Sequence, residues 1–303
     1  MALQSGQVDL VENITNVADI QDFQDNDDYT VDIASGVRCG FAWMNFDGVL
    51  GNKTLRQAIL MAIDNDTICN SRTIGGLYTP GFSVLPSTLN YDYDKLENPY
   101  TYDPEKAKQI LDDAGIVHFG YDETAVMDVK GIKVGLVGIY ELYDHLEREQ
   151  QLKDNIAKVK ADGAQLIVAI FHWGNETETI PDSNQTTLGR IAIDEGADLV
   201  CGHHPHVLQG IEYTEDGPIV YSLGDFWFND ETKYTGLLNL EITSEGLKQM
   251  SFTPCEQKDS QTQYLNNAES QRALFDHLQE ISPNITIDDT GVITELKDVD
   301  AES

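Results

Sequence analysis

Apolar positions follow two different rhythms along this chain, and the change falls near Gly115. Upstream the spacing is helical. Leu55, Ala58, Ile59, Ala62 and Ile63 make one stripe within residues 54–64, the mark of an amphipathic helix. A second helix is punctuated at both ends. Asp103 is a good N-cap, Pro104 suits the first helical position, and Gly115 can take the left-handed conformation that stops it. Its buried stripe is Ala107, Ile110, Leu111 and Ala114. Between the two helices, residues 75–102 are rich in Gly, Pro, Tyr and Asn and read as a long ordered loop.

After Gly120 short apolar runs alternate with helical segments. Strands are predicted at 133–140, 166–171, 198–201 and 219–223, with helices near 146–161 and 188–195. That alternation predicts βαβ units and a partly parallel sheet, hence an α/β fold class. Residues 237–242 and 249–253 suit a closing antiparallel pair. A helix is expected near 271–281, and a loose acidic end after Asp288.

Charge narrows the function. The 52 acidic residues against 19 basic ones leave a formal net charge of −33. Such a surface repels nucleic acid and anionic lipid, whose phosphates need Lys and Arg. Cys39, Cys69, Cys201 and Cys255 lack C-x-x-C spacing and are expected to be free and mostly buried. No apolar run is long enough for a membrane span, and the first residues lack the basic start and apolar core of a signal peptide. A cytoplasmic location is the expectation from the sequence as written.

The candidate chemistry lies in four histidines, each just past a predicted strand. His172 follows the run at 166–171, and His203, His204 and His206 follow the run at 198–201. Ligands of open α/β sheets bind beyond the carboxyl ends of the strands, so these imidazoles should meet at one crevice. His204 and His206, in a turn opened by Gly202 and bent by Pro205, can aim two nitrogens at neighbouring metals. Trp173 and Glu176 are candidate ligand contacts in the same stretch, with packing the competing role for Trp173. His118, His145 and His277 stand outside the pattern.

Four motifs occur in order: Phe171-His172-Trp173-Gly174-Asn175-Glu176, Gly196-Ala197-Asp198-Leu199-Val200, Gly202 to Gly210, and Tyr221-Ser222-Leu223-Gly224-Asp225-Phe226. Together they resemble the CapA family of capsule and poly-gamma-glutamate biosynthesis proteins, which have a calcineurin-like metallophosphoesterase fold. The resemblance covers residues 117–240 or so. It implies His172, His204 and His206 as metal ligands with His203 beside them, His172 and His204 also serving catalysis. It further implies a divalent metal (Mn, Zn or Fe) as cofactor. Asp225 stands where the family usually has Asn. The extra carboxylate either joins the metal or solvates a turn. The family's early Gly-Asp strand end and Asn-Asn-His motif are absent, and no Asn-His dipeptide occurs in the chain. The ligands and proton donor they supply are therefore missing, which implies an incomplete catalyst.

The first segment resembles another family, the extracellular solute-binding proteins of peptide and nickel ABC transporters (family 5). Trp43-Met44-Asn45-Phe46, Leu55-Arg56-Gln57-Ala58-Ile59, Tyr102-Asp103-Pro104-Glu105-Lys106-Ala107-Lys108 and Leu111-Asp112-Asp113-Ala114-Gly115 carry it. It implies an α+β fragment of a binding-protein lobe, with Trp43, Met44 and Asn45 as ligand contacts and core packing as the competing role for the first two. The expected organisation is a solute-binding segment at 1–116, a CapA-like half-domain at 117–255, and a helix with an acidic tail at 256–303. The leading functional expectation is a CapA-like metallophosphoesterase-type protein that binds metal weakly with little or no hydrolysis, its ligand a small phosphoester, polyglutamate or peptide. The alternatives are a peptide-binding module, or an inactive hybrid scaffold. Edges left exposed by partial modules would favour a homo-oligomer.

Overall fold

The structure, a computed structural model, describes residues 2–296 except 13, 15, 72–74 and 90. The chain divides into two compact units, residues 1–116 and 117–303.

The first unit contains helices α1 (Val17–Gln24), α2 (Lys53–Ala62), α3 (Asn65–Cys69) and α4 (Pro104–Asp113), joined by long turns. Among its described residues there is no strand, so the expected α+β character of this segment reduces to helices and turns. The local signals explain the helices. The Asp103 side chain accepts from Lys106 N–H at 3.0 Å, with Pro104 in the first turn. At the other end Gly115 adopts φ +66°, and Gly115 and Ile116 N–H donate back to Asp112 and Leu111 carbonyls, both at 2.9 Å. These two bonds satisfy carbonyls that a helix end leaves open. α2 and α4 pack through Ala58, Met61 and Ala107. Of the predicted stripe Ala58 is buried and Leu55, Ile59 and Ile63 are half-buried, while Ala62 is exposed and Met61 is buried instead.

The second unit is built on a six-stranded sheet in the order β1-β2-β3-β4-β6-β5. Its strands are β1 (Thr124–Val129), β2 (Ile132–Tyr140), β3 (Leu166–His172), β4 (Leu199–His203), β5 (Leu208–Tyr213) and β6 (Pro218–Leu223). β2, β3, β4 and β6 run parallel, while β1 and β5 are antiparallel edges. Helices α5 (Glu149–Ala161) and α6 (Ser183–Asp194) are the crossovers. They cover one face, where Ile167, Ala169, Phe171 and Trp173 meet Leu152, Ile156, Leu188 and Ala192. Leu166 and Val168 point the other way, as strand alternation requires. They join a second core with Met250, Phe252, Leu274, Phe275 and Ile293.

That second core is closed by a smaller sheet of β10-β11-β8-β7, with β9 on β8, and by helix α7 (Ala268–Glu280). Its strands are β7 (Lys233–Thr243), β8 (Gly246–Lys258), β9 (Gln261–Tyr264), β10 (Ile285–Ile287) and β11 (Val292–Glu295). β7 and β8 form the expected antiparallel pair, with Leu237 opposite Thr253. The segment after Asp288 is not loose up to Glu295: β11 pairs with β8, and Ile285, Ile287 and Ile293 are buried. Ser282 and Asn284 side chains accept from Ile211 and Tyr213 N–H of edge strand β5, at 2.8 and 2.9 Å. These bonds cover an edge that would otherwise present open donors. All four cysteines are free, and Cys201 and Cys255 are buried.

Candidate metal centre

The parallel register sets Tyr140, His172 and His203 in one row across the carboxyl ends of β2, β3 and β4. Rings then run along this rim. Tyr140 stacks on His172 at 5.4 Å, His172 lies 4.7 Å from His204, His204 lies 5.5 Å from His206, and Phe228 stands 4.6 Å beyond His206. Sheet topology thus brings together histidines that two separate runs of sequence carry.

The turn after β4 aims two of them. A Cβ on Gly202 would lie 2.1 Å from Tyr221 O and 2.2 Å from Trp173 Nε1, so only glycine fits there. His204 and His206 both take left-handed backbone, at φ +100° and +61°. Such conformations cost about 1–3 kcal/mol each for a residue with a side chain and persist where the surroundings impose them. Thr177 N–H donates to Pro205 O at 2.7 Å, fastening the loop after β3 to this turn. That bond sets Glu176 beside the histidines. Glu176, His204 and His206 each offer a ligand atom, and these atoms lie within 4.8 Å of one another.

Behind His206 a buried charge is arranged. Asp225 Oδ1 is 2.6 Å from His206 Nδ1, and its Oδ2 is 3.2 Å from Lys233 Nζ. Burial, aided by the neighbouring His204, His203 and His206, holds the His172 pKa below its ordinary value. Burial does the same for His203, and burial with His206 does so for His204. The lowering in these three imidazoles favours the neutral form, the one that ligates a metal. Two imidazoles and a carboxylate are a donor set suited to Zn, Mn or Fe, so the residues present fit a divalent ion.

The placement of the other expected site residues differs. His203 is turned toward Cys201 Sγ, 3.9 Å from its Nε2, and is not in the three-residue group. Asp225 serves His206 and Lys233 rather than standing with that group. Trp173 is fully buried, and its indole N–H donates to Tyr221 O at 2.9 Å, so it packs the core and presents no face to a ligand. In the first unit Trp43 is 88% exposed, with Phe41 edge-on at 5.3 Å, while Met44 is half-buried. The Asn45 side chain accepts from Asp47 N–H at 2.9 Å. Core packing is thus not the role of Trp43. His145, outside the group, meets the buried Glu141 at 2.7 Å. Lys233 and Phe228 are site neighbours that no sequence signal marks, since neither belongs to a spaced motif.

Two family models match the chain, and their matches overlap over residues 94–129. Residues 94–230 match the family model of the bacterial capsule synthesis protein PGA_cap. Residues 1–129 match the middle portion of the bacterial extracellular solute-binding proteins, family 5. The capsule biosynthesis protein CapA of Bacillus anthracis is 37% identical over 98 residues, 31% of this chain and 24% of that protein. The PGA biosynthesis protein CapA of Bacillus subtilis (strain 168) is 27% identical over 208 residues, 62% of this chain and 54% of that protein. The chain therefore spans about a quarter and about half of these two relatives. Among solved structures, NikA from Brucella suis in complex with Fe(III)-EDTA aligns over 55% of this chain and 33% of its own, with 19% identity and a TM-score of 0.37. Among the described residues no helix is long and apolar enough to cross a membrane. The chain thus joins a segment similar to the middle portion of the family 5 extracellular solute-binding proteins to a segment similar to the CapA, or PGA_cap, bacterial capsule synthesis proteins.

Proposed function

We propose that the second unit is a metallophosphoesterase-type module that holds a divalent ion through Glu176, His204 and His206. The observation that carries this reading is the convergence of these three ligand atoms within 4.8 Å at the carboxyl ends of parallel strands. Mn, Zn and Fe all suit the donor set. An ion held there would polarise a phosphoryl oxygen and make bound water more acidic. The chain's own residues do the rest. His172, its ring 4.7 Å from His204, is placed to complete the ligand set or to meet a phosphoryl oxygen with its free nitrogen. His203 supports the row from behind. The ligand class that suits such a site is a small phosphoester, and the names of the relatives point to capsule or PGA biosynthesis.

Catalysis in this unit is incomplete, because the proton donor and ligands of the absent Asn-Asn-His and Gly-Asp motifs have no replacement in the sequence. Hydrolysis of bis(p-nitrophenyl) phosphate with added Mn²⁺ tests this. The expectation is slow, metal-dependent turnover that His204→Ala abolishes. Fast turnover would overturn the incompleteness, and turnover unaffected by His204→Ala would overturn the site. For the first unit we propose a solute-binding origin, with Trp43, Met44 and Asn45 as peptide contacts. The exposure of Trp43, at 88%, favours it. Tryptophan fluorescence that shifts saturably with di- to pentapeptides, and not in Trp43→Phe, is the check.

A further inference from the structure

Asp225 is 7% exposed and lies between His206 and Lys233. Strand β6 ends at Leu223, and Gly224 at φ +68° turns the chain so that Asp225 comes under His206. Lys233, the first residue of β7, closes the other side, at 3.2 Å from Asp225 Oδ2 and 2.8 Å from Glu231. Burial alone would lower the pKa of the Lys233 ammonium, but the Glu231 and Asp225 carboxylates outweigh burial and raise it. The Lys233 ammonium is therefore held in its charged form.

The chemistry of a carboxylate differs here from that of the Asn expected in the family motif. An amide can accept from an imidazole N–H or donate to a bare ring nitrogen, so it is compatible with both tautomers. A carboxylate only accepts. At 2.6 Å from Asp225 Oδ1, His206 Nδ1 must carry the hydrogen, and the lone pair sits on Nε2. Lys233 only donates, so it orients Asp225. Acceptor groups behind a ligating histidine fix its ring and raise its basicity.

We infer that Asp225 and Lys233 are positioning residues for the metal centre, Asp225 fixing the tautomer and aim of His206, and Lys233 fixing Asp225. This rests on the reading of Glu176, His204 and His206 as that centre. A salt bridge that merely closed the turn between β6 and β7 would affect stability and leave metal affinity alone.

The test is Zn²⁺ calorimetry on the native chain, Asp225→Asn, Asp225→Leu and Lys233→Met, with Co²⁺ absorption spectra at saturation. Asp225→Leu is expected to weaken binding by about 10–100-fold and to alter the Co²⁺ spectrum. Asp225→Asn, which keeps an acceptor, should lose less. Lys233→Met should weaken binding in the same direction as Asp225→Leu. If Asp225→Leu does not fold, Lys233→Met decides, and native affinity in that variant overturns the inference. Native affinity in a folded Asp225→Leu also overturns it while leaving the centre standing. No Zn²⁺ binding by the native chain would overturn both.

Discussion

His206 Nδ1 and Asp225 Oδ1 stand 2.6 Å apart although 19 residues separate them in sequence. The contact exists because β4 and β6 are neighbours in the sheet, with Cys201 opposite Val220, so the turns that follow them meet. The same adjacency lets Trp173, at the end of β3, bond to Tyr221 on β6 across Gly202.

Gly202→Ala tests that crossing point. Its Cβ would fall 2.1 Å from Tyr221 O and 2.2 Å from Trp173 Nε1, neither of which is the end of a flexible chain. A loss of about 1–3 kcal/mol or more is expected from such overpacking. A lower urea midpoint with an unchanged slope would bear this out, and an unchanged midpoint would show that the strands can part.

The metal-free protein should lose stability in weak acid. His172, His203 and His204 have folded pKa values below the ordinary 6.5, burial being the largest cause for each. Between those lowered values and 6.5 the unfolded chain binds more protons than the folded one. Stability therefore falls as pH drops below about 6.5 and levels off once the folded imidazoles also protonate. Urea titrations in EDTA at about pH 8 and about pH 5.5 measure it, and His203→Gln should shrink the difference.

Helix α6 depends on a reciprocal cap. Asp182 accepts from Asn184 and Gln185 N–H at 2.8 and 2.9 Å, and the Gln185 side chain accepts from Asp182 N–H at 3.0 Å. Asp182→Ala should cost about 0.5–2 kcal/mol. Thermal denaturation of the metal-free chain gives the value.

The site was legible in proportion to how local its signals are. The four histidines follow apolar runs that become β3 and β4, so strand-end logic alone located them. Trp173 belongs to the odd-numbered stripe Ile167, Ala169 and Phe171, and continuing that alternation by one residue would have put it in the core. Glu176 joins the candidate ligand group through the Thr177–Pro205 bond, a loop contact with no periodic trace. Asp225's role was hidden because its partners come from other elements, His206 beyond β4 and Lys233 on β7. β10 and β11 have 3 and 4 residues, too short for period-two alternation to stand out from an acidic tail.

Calorimetric titration of the native chain and of a His204→Ala/His206→Ala double variant with Mn²⁺ or Zn²⁺ bears most directly on the centre. The arrangement of Glu176, His204 and His206 predicts saturable binding by the native chain near one ion per molecule, and its loss in the double variant. Binding of equal strength in both proteins, or in neither, would contradict the assignment of this cluster as a metal centre.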